Sequence, residues 1–177
     1  MRRHLAAGFG RVFQRPAWGR GRPVVALLAL ALVALPAIAA ATEPTRPEYV
    51  AQLEKICKPG SEATQRAVSG MRSDIRAERL RLAASKFAKA ERIFAGTVSS
   101  ISTVPRPAAD KSTLARWFAA LGRETDYLGR TAAALRAEDI PRFQRISGRF
   151  FQEGSKANNV VVSFGFNYCN FKSSRYE

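Results

Sequence analysis

Histidine is nearly absent from this chain of 177 residues: the only one, His4, lies within the first 41. The rest of the chain therefore lacks the groups for Ser-His-Asp or Cys-His catalysis, and for binding haem, zinc or a di-iron centre through histidine. A phosphate-binding loop of the G-x-x-x-x-G-K type is also missing. We expect a protein that is not an enzyme and has no catalytic residue, no metal ligand and no cofactor.

Acidic residues are about half as numerous as basic ones, 14 against 29, which gives the chain a net charge of +15. Residues 1–41 hold six arginines and no acid, so the remainder carries a net charge of +9. A surface this basic attracts anionic lipid or an anionic wall polymer through its long-range potential. The alternative is that 22 arginines beside only seven lysines reflect a GC-rich coding sequence.

Three pairs of carboxylates are close enough in the sequence to suggest a hydrolase, since glycosidases use two such groups. They are Asp74 with Glu78, Glu124 with Asp126, and Glu138 with Asp139. Each pair also has a simpler interpretation as a solvated face, a helix cap or a first-turn charge. A hydrolase with a helix-borne carboxylate is the least favoured hypothesis.

An apolar run of 18 residues, 24–41, follows the six arginines and ends in small residues. A basic start, an apolar run and A-x-A sites are the parts of a secretory signal. Pro36 breaks any helix just before two such sites, 37–39 and 39–41. The run is also near the lower length limit for an uncleaved membrane anchor, and a buried core helix is the third alternative.

Signal and anchor place the chain on the same side of the membrane, because arginines stay in the cytoplasm. Residues from about 42 onward are then extracytoplasmic, and the protein is in the membrane only through residues 1–41, if that segment is uncleaved. Nucleic acid is not an expected partner of an exported chain. Residues 42–177 contain no repeat or linker and are predicted to form one helical domain.

Residues typical of helix starts and helix ends divide this domain into several helices. Thr45 and Glu48 form a capping box with Pro47 in the first turn, and Lys58-Pro59-Gly60 is expected to end that helix. Asp110 and Asp139 are expected to cap two later helices. The later helices carry apolar stripes at helical spacing: Leu114, Trp117, Phe118, Leu121, Thr125, Leu128, Ala132 and Leu135, then Phe143, Ser147, Phe150, Gly154, Ala157, Val161 and Phe164.

The segment 61–104 is helical by propensity, but its apolar face is not constant. The first stripe (Val68, Met71, Ile75) and the second (Leu80, Ala83, Phe87, Ala90, Phe94, Val98, Ile101) are rotated from each other by about a quarter turn. A straight helix would bury arginines or expose apolar residues. We therefore expect a break between about Ser69 and Arg79, with Gly70 and the Ser73-Asp74 pair as the stop and the restart.

The segment 159–168 is rich in β-branched and aromatic residues, but a lone strand has no partner here. Because Val161, Phe164 and Tyr168 continue the stripe of the last helix, we expect these residues to be its final turns.

Two cysteines, Cys57 and Cys169, form an even pair in a chain predicted to be exported, the usual context for a disulfide. The alternative is two buried free thiols. Bonded cysteines need Cα atoms within about 7 Å, and an unbroken helix over 61–104 would leave these two tens of ångströms apart at about 1.5 Å per residue. The disulfide and the change of apolar face therefore predict the same break.

Basic residues recur on two helical faces and are candidate anion-binding sites. One face holds Arg72, Arg76, Arg79 and Lys86; the other holds Arg142, Arg145 and Arg149. The simpler interpretation is a solvated surface. A second candidate site is an apolar cavity between helices, which we expect to be lined by Phe87, Phe94, Leu121, Leu128 and Phe150.

Four segments, ICKPGSEAT, VPRPAADKSTLARWFAAL, LRAEDIPRFQRI and FGFNYC, together resemble a loose group of small exported bacterial proteins. The resemblance covers most of 48–170. It implies an extracytoplasmic all-α domain with a cysteine near each end, and no activity. We therefore expect an antiparallel bundle of four or five helices, closed by one disulfide, with a structural or binding role at the cell envelope. The alternative function is a carrier of small apolar ligands.

Overall fold

The computed structural model describes residues 43–170 and residue 172. Over this range the chain forms four long α-helices and one short one, and no strand. In chain order they are α1 (Arg46–Val68), α2 (Met71–Arg76), α3 (Leu80–Ser102), α4 (Lys111–Arg136) and α5 (Ile140–Val160), with 3₁₀ turns at Ala108–Asp110 and Val162–Phe164. The helices pack in antiparallel order: α1 on α3, α3 on α4, and α4 on α5. The predicted all-α bundle is confirmed. The predicted signal or anchor in residues 1–41 lies outside the described residues.

The start of α1 follows the sequence prediction. The Thr45 side chain accepts from the Glu48 N–H at 3.4 Å, and the Thr45 N–H donates to Oε2 of Glu48 at 2.8 Å. Pro47 lies in the first turn, where the missing N–H is not needed. The capping box is confirmed, and these hydrogen bonds from Thr45 lower the pKa of Glu48.

The predicted end of this helix at residues 58–60 is wrong, because α1 continues through Pro59 to Val68. Proline inside a helix costs about 3 kcal/mol or more, and tertiary packing outweighs that cost here. Buried residues continue past the proline on the same face of the helix. Gly60 brings α1 close to α3: a Cβ atom at this position would lie 2.2 Å from Oγ1 of Thr97. Glycine therefore serves a close approach here and not a helix stop.

The predicted break between α1 and α3 is confirmed. Gly70, two residues after the end of α1, has a φ of +71°, and Glu78 has a φ of +57° just before α3 begins at Leu80. The position of the restart is wrong, however. Helical structure resumes at Met71, so Ser73 and Asp74 lie within the six-residue α2.

The two predicted caps of the later helices differ. Asp139 caps α5 by accepting from the Arg142 N–H at 3.0 Å, as predicted. Asp110 precedes α4, but its side chain makes no cap hydrogen bond. It accepts instead from the guanidinium of Arg46, with 2.9 Å between Nε and Oδ2. The hydrogen bonds from Arg46 to Asp110 join the starts of α1 and α4. They also lower the pKa of the Asp110 carboxyl.

Two clusters of buried residues fill the bundle, one at each end. The disulfide end contains Tyr49, Leu53, Cys57, Ile101, Leu114, Trp117, Ala120, Leu121, Ala157, Val161, Phe164, Phe166 and Cys169. The break end contains Ala67, Val68, Met71, Ala83, Ala84, Phe87, Ala90, Leu128, Ala132, Leu135 and Phe150. The predicted stripes of α3, α4 and α5 supply most of both clusters.

Only the first two residues of the segment 159–168 belong to α5, which corrects the expectation that the whole segment forms the final turns of that helix. Helix α5 ends at Val160, and a 3₁₀ turn leads to Gly165, whose φ is +66°. This left-handed conformation turns the chain out of the helical phase. Phe166 is then buried and stacks on Trp117, with ring centroids 5.3 Å apart, whereas Tyr168 is 37% exposed.

Residues 165–170, which we call the tail, are fastened to α1 in two ways. The disulfide joins Cys57 to Cys169, with Cα atoms 5.1 Å apart. One turn before Cys57, the carboxylate of Glu54 accepts from the backbone N–H groups of Asn167 at 2.8 Å and Tyr168 at 3.1 Å. The predicted disulfide is confirmed, together with the break that brings the two cysteines to the same end.

Candidate functional site

A cavity of about 50 Å³ lies beside the disulfide, between α1, α3, α4 and the tail. It is lined by Cys57, Gly60, Ser61, Thr64, Phe94, Thr97, Leu121, Glu124, Tyr168, Cys169, Asn170 and Lys172. Helix α1 contributes only small side chains to this wall, and the tail lies over the space they leave. The cavity therefore depends on the tail being held in place.

Glu124 projects from α4 and is the acidic group of the cavity. The residue is only 1% exposed, and among the described residues its Oε2 atom has no hydrogen-bond partner. Burial, and secondarily the negative charge of Glu153 on α5, raise the pKa of Glu124 to about 8. The carboxyl group is thus mostly protonated at pH 7 and ionised above pH 8.

Two threonine hydroxyls also line this cavity. Thr64 Oγ1 donates to the carbonyl oxygen of Gly60 at 2.9 Å, and Thr97 Oγ1 donates to that of Ile93 at 2.9 Å. Each hydroxyl has one proton, and the helix carbonyl takes it in both cases. The two oxygen atoms can therefore only accept hydrogen bonds from a molecule in the cavity.

Sequence reasoning placed Glu124 in a carboxylate pair with Asp126, but the structure separates the two. Asp126 is exposed and binds Arg130 at 3.3 Å. Glu124 lies three residues after Leu121 and four before Leu128, both of which are buried. That position on the apolar stripe of α4 is the signal that identifies it as a buried acid.

The other carboxylates considered from the sequence have ordinary structural roles. Asp139 is the cap of α5, and Glu138 binds Arg81 at 3.3 Å on the surface. Asp74 is 4% exposed and accepts from two cations, described next, while Glu78 is exposed at the turn before α3. Among the described residues that line the cavity, Glu124 is the only carboxylate.

The first predicted anion-binding face is partly neutralised. Arg79 donates to Oδ1 of Asp74 at 2.7 Å, and Lys86 donates to Oδ2 of the same carboxylate and to the carbonyl oxygen of Ser69. These bonds, that from Lys86 foremost, lower the pKa of Asp74. Arg72 and Arg76 are exposed on α2. Two of the four predicted anion-binding residues, Arg79 and Lys86, therefore already bind the carboxylate of Asp74.

The second predicted face is open. Arg142, Arg145 and Arg149 are all exposed along α5. Within residues 43–170, no carboxylate lies within ion-pair distance of their guanidinium groups. The spacing of three and four residues places the three cations on the same side of the helix.

The expected apolar cavity is divided by the packing. Phe94 and Leu121 line the observed cavity. Phe87, Leu128 and Phe150 instead pack together in the cluster at the break end. The observed space is small for an apolar ligand, since ligand pockets are typically about 300–1,000 Å³.

Metal and membrane sites were sought over the same range. Within residues 43–170 and 172, no three His, Cys, Asp or Glu side chains come together as a metal site. None of the helices in that range is both long and apolar enough to cross a membrane.

Comparisons with protein families, with curated proteins and with solved structures all return no similar member. The resemblance to small exported bacterial proteins stays a prediction.

Proposed function

We propose that this is a non-enzymatic, exported helical-bundle protein with a structural or binding role at the cell envelope. The observation that carries the proposal is the disulfide between Cys57 and Cys169. Disulfides persist in oxidising compartments and are rare in a reducing cytoplasm. This bond also fastens the tail over α1, so it has a structural use that export would preserve.

The anionic partner, lipid or wall polymer, is proposed to bind α5. Arg142, Arg145 and Arg149 present three exposed cations on one helical face. Basic residues close to an anionic membrane each contribute about 1 kcal/mol to binding. The face that includes Arg79 and Lys86 is the weaker candidate, because Asp74 already neutralises part of its charge.

Export is tested by following the full-length chain in a bacterial host. We expect the protein in the extracytoplasmic fraction, with both cysteines resistant to alkylation until a reductant is added. The mass of its N-terminus distinguishes a cleaved signal from a retained anchor. A reduced protein confined to the cytoplasm would refute the proposal.

The surface is tested with residues 42–177 and vesicles of phosphatidylglycerol. Replacing Arg142, Arg145 and Arg149 together by glutamine should weaken binding by about a hundredfold at low salt, since about 3 kcal/mol is removed. The matched control removes three exposed charges that are not on one face: Lys55→Gln, Lys89→Gln and Arg116→Gln. Equal losses in the two triple variants, or equal binding to neutral phosphatidylcholine vesicles, would mean that α5 is not the contact.

An apolar-ligand carrier is less well supported, because the cavity is small and contains a carboxyl group. A hydrolase also has little support, since no second carboxylate is among the described residues that line the cavity with Glu124. The chemistry of that cavity favours a different ligand class.

A further inference from the structure

Glu124 is a buried acid for which the fold provides no use. Within the part of the chain that the structure describes, it caps no helix and forms no ion pair, and its Oε2 atom has no hydrogen-bond partner. Its neighbour Glu153 differs, because Lys156 and Arg123 both bind that carboxylate. An unsatisfied buried carboxyl group is costly. A partner that enters the cavity from solution would remove that cost.

We propose that the cavity beside the disulfide binds a small primary ammonium ion, whose N–H groups donate to Oε2 of Glu124 and to the hydroxyl oxygens of Thr64 and Thr97.

The hydrogen-bonding groups of the cavity favour a donor. The hydroxyl protons of Thr64 and Thr97 are taken by helix carbonyls, so their oxygens can only accept. An ionised carboxylate is also an acceptor only, whereas an ammonium group has three donors and no acceptor. The ring of Phe94 adds an aromatic wall, which suits a cation.

The size of the cavity limits the ligand. A water molecule needs about 10–15 Å³ measured in the same way. A cavity of about 50 Å³ therefore accommodates methylammonium or ethylammonium. A longer amine has to displace the tail, which Glu54 and the disulfide hold in place.

The titratable groups that face Glu124 come from two elements. Glu153 approaches from α5 and raises the pKa of Glu124, and Tyr168 and Lys172 line the cavity from the C-terminal side. Helices α1 and α3 contribute no charged residue to the described lining. Because the carboxyl group has to ionise before it pairs with a cation, binding should release a proton at pH 7.

The test is calorimetric titration of the full-length oxidised chain with methylammonium chloride. We expect saturable binding that is about tenfold tighter at pH 9 than at pH 7, following the ionisation of the carboxyl group. E124Q keeps the shape of the side chain and should weaken binding at least about tenfold at pH 9. D126N removes an exposed carboxylate from the same helix and should bind as the unmodified protein does. Melting temperatures confirm that both variants are folded.

Further titrations identify the chemical class of the ligand. Tetramethylammonium has no N–H donor and should not bind, and potassium chloride should not compete. K172Q removes the positive charge that lines the cavity and should tighten binding. The proposal is overturned by no saturable binding at pH 9, by unchanged binding in E124Q, by equal binding of neutral acetamide, by competition from potassium, or by weaker binding in K172Q.

Discussion

The two ends of the bundle treat a buried carboxylate in opposite ways. At the break end, Asp74 receives hydrogen bonds from Arg79 and Lys86, so its charge is stabilised in the fold. At the disulfide end, no described residue donates a hydrogen bond to Oε2 of Glu124, and burial raises the pKa of that carboxyl to about 8. The difference teaches that burial alone does not mark a site. A carboxylate whose partners are built into the fold is structural, and one without them is available for a ligand.

The segments that close the two ends of the bundle differ as well. Short backbone turns at Gly70 and Glu78 complete the break end, which is packed with alanine, leucine and phenylalanine. The disulfide end is completed by the tail, a non-helical segment held by one covalent bond, the Glu54 carboxylate and aromatic stacking. The cavity lies at this second end, where a non-helical segment forms one wall.

Reduction of the disulfide, which closes only one end of the bundle, should produce the largest effect. The sequence separation between the two cysteines is 112 residues, and cross-linking a loop of this length contributes about 4–5 kcal/mol in the chain-entropy model. We expect the free energy of unfolding, from urea titration, to fall by about that amount on reduction. A C57S/C169S variant should be insensitive to the reductant. If the reduced protein had the same free energy of unfolding as the oxidised protein, the disulfide would not stabilise the fold.

Glu124 should make the protein less stable as pH rises. Its folded pKa, about 8, lies above the ordinary value of 4.5, so between these values the folded state holds a proton that the unfolded state has lost. Stability then decreases by about 1.4 kcal/mol per pH unit in this range and levels off above pH 8. E124Q should lack this decrease, measured as urea midpoints from pH 5 to pH 8. Parallel curves for the two proteins would show that the group does not hold its proton.

Gly60 should tolerate no side chain, because a Cβ atom there meets Thr97. We expect G60A to lower the free energy of unfolding by about 1–3 kcal/mol through overpacking. G122A is the matched control: Gly122 lies in a helix with no atom within 4 Å of an added Cβ, and alanine should stabilise it by about 0.5–1 kcal/mol. Adding T97A to G60A should restore part of the loss. Equal effects of G60A and G122A would contradict the close approach of α1 and α3.

Asp74 should give the smallest effect, and one of opposite pH dependence. Its pKa is lowered in the folded state, so its contribution is present above the ordinary value and is lost as pH falls through the folded pKa. D74N should therefore lower the melting temperature slightly at pH 7 and abolish part of the loss of stability below about pH 4. A variant that is destabilised equally at pH 7 and pH 3 would mean that the ion pairs with Arg79 and Lys86 contribute nothing.

The sequence predicts those features that depend on local patterns. The capping box at Thr45, the cap at Asp139, the stripes of α3 to α5 and the break before Leu80 all follow from spacing and turn chemistry. The disulfide follows from the small number of cysteines and from the break. These features need no knowledge of which helices are neighbours.

Other features depend on neighbouring elements and could not be read from local patterns. Pro59 is kept within α1 because the buried face continues on both sides of it. The Asp110 side chain does not cap α4 but accepts a hydrogen bond from Arg46, which is 64 residues away in the sequence. Gly165 ends the helical phase, so that Phe166 and not Tyr168 enters the core. For Glu124, its place on the apolar stripe of α4 was a usable signal, but the cavity around it was not predictable.

The stack between Trp117 and Phe166 gives the protein an internal optical reporter. Trp117 is 1% exposed and contacts the tail through a ring 5.3 Å away. The second tryptophan of the chain, Trp18, lies in the predicted leader. After removal of that leader, the tryptophan emission comes from Trp117 alone. Its shift to longer wavelength signals undocking of the tail, which makes the opening of the cavity visible in the unlabelled protein.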